Sequence, residues 1–105
     1  MNEDSFDTHF AALRDRFSMR LSGYQERLNR ARASFVHNAD PDAILELKRI
    51  SHELAGAAGV FGLPEIGDAA LTLERAAEAV LQAGHDRTAI IAPLRQLLRE
   101  VELSL

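Results

Sequence analysis

In a chain with no cysteine, the imidazoles of four histidines are the side chains best suited to nucleophilic chemistry. His52 stands apart from the other three by its neighbours. It lies in the run Leu47-Lys48-Arg49-Ile50-Ser51-His52-Glu53-Leu54-Ala55-Gly56-Ala57-Ala58-Gly59-Val60-Phe61-Gly62-Leu63. At about 100° per residue on a helix, the apolar residues of this run gather on the side away from His52. Leu45 and Lys48 fall on the histidine's own face before it, Arg49 lies beside it, and Ala55, Gly56 and Gly59 follow. An imidazole there projects from a strip of small residues, next to two cations and an exposed leucine.

That setting suits phosphoryl transfer. Free imidazole has a pKa of about 6.5, so its neutral, nucleophilic form is abundant near pH 7. Attack needs one ring nitrogen free and the other held as a donor. Lys48 and Arg49 are placed to offset the charge of a phosphorylated ring. Glycine or alanine one turn away lets a partner protein approach closely. Glycine inside a helix costs roughly 1 kcal/mol relative to alanine. A purely structural helix has little reason to carry both Gly56 and Gly59 on one face, whereas a docking surface does.

His9, His37 and His85 have no comparable setting and read as solvated or boundary residues. No His-x-x-x-His pair is present, so a histidine metal site is not indicated. The stretch from Gly56 to Gly62 lacks the Gly-Lys-Ser/Thr ending of a phosphate loop and follows a helical pattern, not a strand.

The elements that must hold His52 are helical from end to end. Phe6, Phe10, Leu13, Phe17, Leu21, Tyr24, Leu28, Ala31 and Phe35 recur every 3.6 residues or so, the period of a straight α-helix. The four phenylalanines of this set are expected in the core. Ser22-Gly23 leaves two forms open, one long helix or a short extra N-terminal helix followed by a longer one. Asp40-Pro41 opens the next helix as an N-cap acid followed by proline, with Ala43, Leu47, Ile50, Leu54, Ala57, Ala58 and Phe61 inward. Leu63-Pro64 opens a third, burying Ile66, Ala70, Leu73, Ala77, Val80 and Leu81 and closing at Gly84. Asp86 can cap a last helix carrying Ile90, Ile91, Leu94, Leu97, Leu98, Val101 and Leu103, where Pro93 predicts a kink or a later start. With no strand-like alternation, the fold class is all-α, an antiparallel up-down four-helix bundle forming a single domain over residues 1–105.

Composition narrows the partners. Twelve Lys and Arg against sixteen Asp and Glu give a net charge of −4, which argues against a nucleic-acid binder. No apolar run is long enough to span a membrane, and the acidic N-terminus is not a signal peptide. A soluble, cytoplasmic protein is expected.

The spacing H-x-L-x-G-x-x-x-x-x-G, here His52, Leu54, Gly56 and Gly62, resembles the histidine-containing phosphotransfer (HPt) domain family. The approach Leu47-Lys48-Arg49-Ile50 and the later Leu73-Glu74 pair are similar too, and a looser likeness runs from the N-terminal helix to about Ala79. The resemblance implies a four-helix bundle that carries phosphate on His52 and has no nucleotide site or bound cofactor of its own. It implies exchange with an aspartate of a response-regulator receiver domain, which supplies Mg2+, and with a sensor or hybrid histidine kinase. Gly56 would mark the docking strip, together with Leu45, Ala55 and Gly59. Glu74 would hold the second ring nitrogen of His52, provided the histidine's face turns toward the third helix. Where the family commonly has lysine three residues after the histidine, this chain has Ala55, which predicts altered partner preference or a less stable phosphohistidine.

The reading is therefore a free-standing phosphoryl carrier, not an enzyme, and a monomer. Two other readings stay open. One is a helical adaptor that binds receivers without carrying phosphate. The other is the phosphoacceptor segment of a chemotaxis-type kinase, disfavoured by the initial methionine and the ending inside a helix.

Overall fold

The computed structural model describes residues 3–38, 40–84 and 86–105, with side chains from residue 8 onward. Four helices account for nearly all of them: α1 (Glu3–Asn38), α2 (Pro41–Phe61), α3 (Pro64–Ala83) and α4 (Ile91–Leu103), with a 3-10 turn at Arg87–Ile90 before α4. No strand occurs among the described residues. Each helix packs on the next in chain order and α4 closes back on α1, so the bundle is a four-sided up-down ring.

The boundaries follow local chemistry. Asp40 Oδ1 accepts a 2.9 Å hydrogen bond from the Asp42 amide, and Pro41 takes the first helical position, where no amide hydrogen is needed. Gly62 and Gly84 end α2 and α3 in the left-handed region, both at φ 67°, which a side chain would resist. Asp86 repeats the cap through a 2.9 Å bond from the Thr88 amide, and these hydrogen bonds hold its carboxyl below the usual range. Pro93 is the third residue of α4, so the late start of that helix puts proline in the first turn, where it breaks nothing.

The helix α1 is unbroken across Ser22-Gly23; the short extra helical element is the 3-10 turn beside α4. Thirty-six residues span roughly 54 Å at 1.5 Å per residue, against roughly 31 Å for α2, so the N-terminal part of α1 outruns the bundle. This overhang explains why Phe10, expected in the core, is 51% exposed. Among the described side chains Phe17 is the first aromatic residue to be covered, its ring stacked on Phe61 with centroids 4.2 Å apart. Phe35 is half-buried, and the Phe6 side chain lies outside the described residues. Leu81, Ile91 and Leu103, also expected inward, are exposed because they fall on the shoulders of their helices or beyond the last packed turn.

The buried core runs from Phe17 to Val101 and includes Leu28, Leu47, Ile50, Leu54, Ala58, Leu73 and Leu97. Small residues line the seam between α2 and α3. Ser51, Ala58, Ala70 and Ala77 are fully buried there, and a Cβ added at Gly67 would lie 3.7 Å from that of Ala58. Ser51 is accommodated because its hydroxyl donates to the Leu47 and Lys48 carbonyls at 2.8 and 3.0 Å. With so little side-chain bulk between them, the two backbones approach closely. That closeness builds the site.

Candidate functional site

His52 stands midway along α2 with its side chain 76% exposed. On a wheel it points away from the core, yet its Nδ1 lies 2.8 Å from Glu74 Oε2 on α3. The small-residue seam removes the conflict, since a long glutamate rising from the adjacent helix can reach the outer face of α2. Glu74 is itself mostly covered, at 17% exposure. A carboxylate can only accept, so Nδ1 carries the hydrogen, and in the neutral ring Nε2 keeps its lone pair. With Nδ1 engaged by Glu74, Nε2 is the ring nitrogen left for a partner.

One turn earlier the pattern repeats. Lys48 Nζ lies 4.0 Å from Glu78 Oε1, and Glu78 is one turn beyond Glu74 on α3. Lys48 thus leans toward α3. Arg49 is exposed and lines an open groove of about 500 Å³ with Leu45, Lys48, His52, Glu74 and Glu78.

A second open groove, of about 520 Å³, lies on the α1 side of the histidine, where Arg20 and Tyr24 face His52, Glu53 and Gly56. Arg27 on α1 bridges to α2, donating to Glu53 at 2.8 Å and Glu46 at 3.3 Å. The bond to Glu53, against a smaller opposing effect of burial, raises the guanidinium pKa above its ordinary value. His52 thus stands on a ridge between two hollows.

The expected docking residues surround this ridge without forming one patch. Leu45 belongs to the α3-side groove and Gly56 to the α1-side groove. Ala55 packs partly against the core and, with Gly59, lines a further shallow hollow beside the exposed Leu71. A Cβ added at Gly56 or Gly59 would meet nothing within 4 Å. Neither glycine is required by the chain's own packing, which leaves their bareness to something outside it. Gly56→Ala is accordingly expected to raise stability by roughly 0.5–1 kcal/mol in urea unfolding, while slowing phosphoryl exchange with a receiver severalfold.

Among the residues that face His52, the sequence reading did not single out Glu78, Arg20, Tyr24, Glu53 or the Arg27 bridge. Glu78 could have been found as the i+4 neighbour of Glu74. The α1 residues could not, because the pairing of α1 with α2 depends on a register that no periodicity specifies. His9 and His37 are exposed and far along the chain from this ridge, and His85 lies outside the described residues.

A family model described as Hpt domain matches residues 12–103. The chain belongs to the Hpt domain family. No curated protein and no solved structure matches it. Hpt domains act in two-component phosphorelays, as carriers more than catalysts, and generally work with receiver and kinase domains. This Hpt domain shows no helix long and apolar enough to cross a membrane among its described residues.

Proposed function

We propose that this Hpt domain relays a phosphoryl group between receiver aspartates, with His52 as the phosphoacceptor. The observation that carries the proposal is the 2.8 Å contact from Nδ1 to Glu74 beneath a ring that is 76% exposed. It leaves Nε2 free, aimed outward, and in the tautomer that can attack.

In the forward step the Nε2 lone pair forms a bond to the phosphorus of a receiver aspartyl phosphate. The bond from phosphorus to the aspartyl oxygen breaks, and its electron pair returns to the carboxylate. No proton has to leave, because Nδ1 keeps its hydrogen throughout. The product ring is cationic, and Glu74 stabilises it through a charge-assisted hydrogen bond. The reverse step discharges the group to another receiver. The chain contributes an oriented nucleophile, and the receiver contributes the metal and acidic groups. Leu45, Ala55, Gly56 and Gly59 give the partner room to approach, over a modest and transient interface.

Incubation with a phosphorylated receiver tests this reading. Label should move to the Hpt domain as an acid-labile, base-stable phosphate; label that stays on the receiver in a stable complex would identify an adaptor instead. Glu74→Ala should lower the transfer rate about tenfold, equivalent to about 1.4 kcal/mol of barrier. Glu74→Gln, whose amide oxygen still accepts the Nδ1 hydrogen, should lose less.

A further inference from the structure

The family's usual lysine after the histidine is Ala55 here, so the charge of a phosphoryl group on Nε2 has to be met by another cation. Three arrangements limit which. Lys48 leans toward α3, 4.0 Å from Glu78. Arg49 lines the α3-side groove, where the carboxylates of Glu74 and Glu78 would oppose a phosphoryl group. Arg27 is held between Glu46 and Glu53. The groove between α1 and α2 also reaches His52 and holds no free carboxylate, and its unbridged cation among the described residues is Arg20.

We propose that Arg20, on α1, contacts the phosphoryl group carried by His52 and takes the place of the absent lysine. This rests on the reading of His52 as phosphoacceptor. Arg20 lines the same groove as His52 and Gly56. Gly56 lines the same groove and puts no side chain into it, where an added Cβ would meet nothing within 4 Å. Tyr24 anchors the arginine from below, its hydroxyl oxygen accepting a 3.5 Å hydrogen bond from Nη2. The carboxylate that could oppose an anion here, Glu53, is tied to Arg27 at 2.8 Å. The groove thereby offers a positive rim on a chain of net charge −4. A guanidinium is suited to the task because it presents several donors in one plane to phosphate oxygens.

The test uses phosphoramidate, whose P–N bond breaks with loss of ammonia as the new P–N bond to Nε2 forms. The second ionisation of the phosphoryl group is then followed by 31P NMR in the wild type, Arg20→Ala, Arg20→Lys and Arg49→Ala. Removing a contacting cation disfavours the dianion, so Arg20→Ala should titrate about half a pH unit higher, as expected for a charge pair at a protein surface. Arg20→Lys should restore most of the difference, and unchanged melting temperatures would exclude a loss of fold. If Arg20→Ala titrates with the wild type, or if Arg49→Ala alone moves the curve, the assignment to Arg20 is wrong. If no signal forms on the wild type, or if it persists in His52→Gln, the reading of His52 itself fails.

Discussion

Replacing His52 with glutamine is expected to abolish phosphoryl acceptance from a phosphorylated receiver, leaving no label above background, while the protein folds as before. The two halves of this expectation have separate causes. The side chain is 76% exposed and its polar contact is with Glu74 at 2.8 Å, so the bundle loses little when it is changed. A surface substitution of this kind stays within about 0.5 kcal/mol of wild-type stability. Glutamine can still donate to Glu74 through its amide, but it has no basic nitrogen whose lone pair can bond phosphorus. Gel-resolved transfer of 32P, with urea unfolding of the same samples, checks both halves at once. Label retained on His52→Gln would refute the assignment of the phosphoacceptor.

Leu54→Ala should give the converse result, a damaged bundle around an intact imidazole. Leu54 is two residues beyond His52 and fully buried. Truncating such a leucine costs about 2–5 kcal/mol, the removed methyls adding to the cavity they leave. A domain of this size has only about 5–15 kcal/mol in total, so the urea midpoint should fall steeply. The turn carrying His52 is fastened to the core by this residue and by Ile50. Phosphoryl transfer should therefore fail in proportion to the unfolded fraction and recover on cooling or on stabilisation by a bound receiver. Transfer that stayed low in fully folded Leu54→Ala would show that the core residue also tunes the chemistry.

Much of this was legible in the sequence because the signals were local. Asp40-Pro41 and Gly62 mark helix ends through bonds made within four residues and Gly84 through its left-handed backbone, and each boundary stands where those residues place it. The inward face of α2 follows from a period of 3.6, and Leu47, Ile50 and Leu54 are buried as expected. Other features depend on distances the sequence does not encode. Phe10 has the same spacing as Phe17, but Phe17 is buried against Phe61 whereas Phe10 stays 51% exposed, because α2 ends at Phe61. The bond between His52 and Glu74 depends on how closely α2 and α3 approach, which small residues on both helices decide jointly. The α1-side groove is less legible still, since Arg20 and Gly56 become neighbours only through the register of two helices.

The ridge on which His52 stands has a consequence for timing. A cleft enzyme guards a reactive group by enclosing it, but a convex surface flanked by open hollows cannot exclude water. If His52 carries phosphate as proposed, the durability of the stored group rests on the intrinsic inertness of its phosphorus–nitrogen bond and on the charges beside it. Its release would then be governed elsewhere, by whichever receiver settles over the ridge and completes the enclosure. On that proposal, storage is a property of this chain, and discharge belongs to the pair.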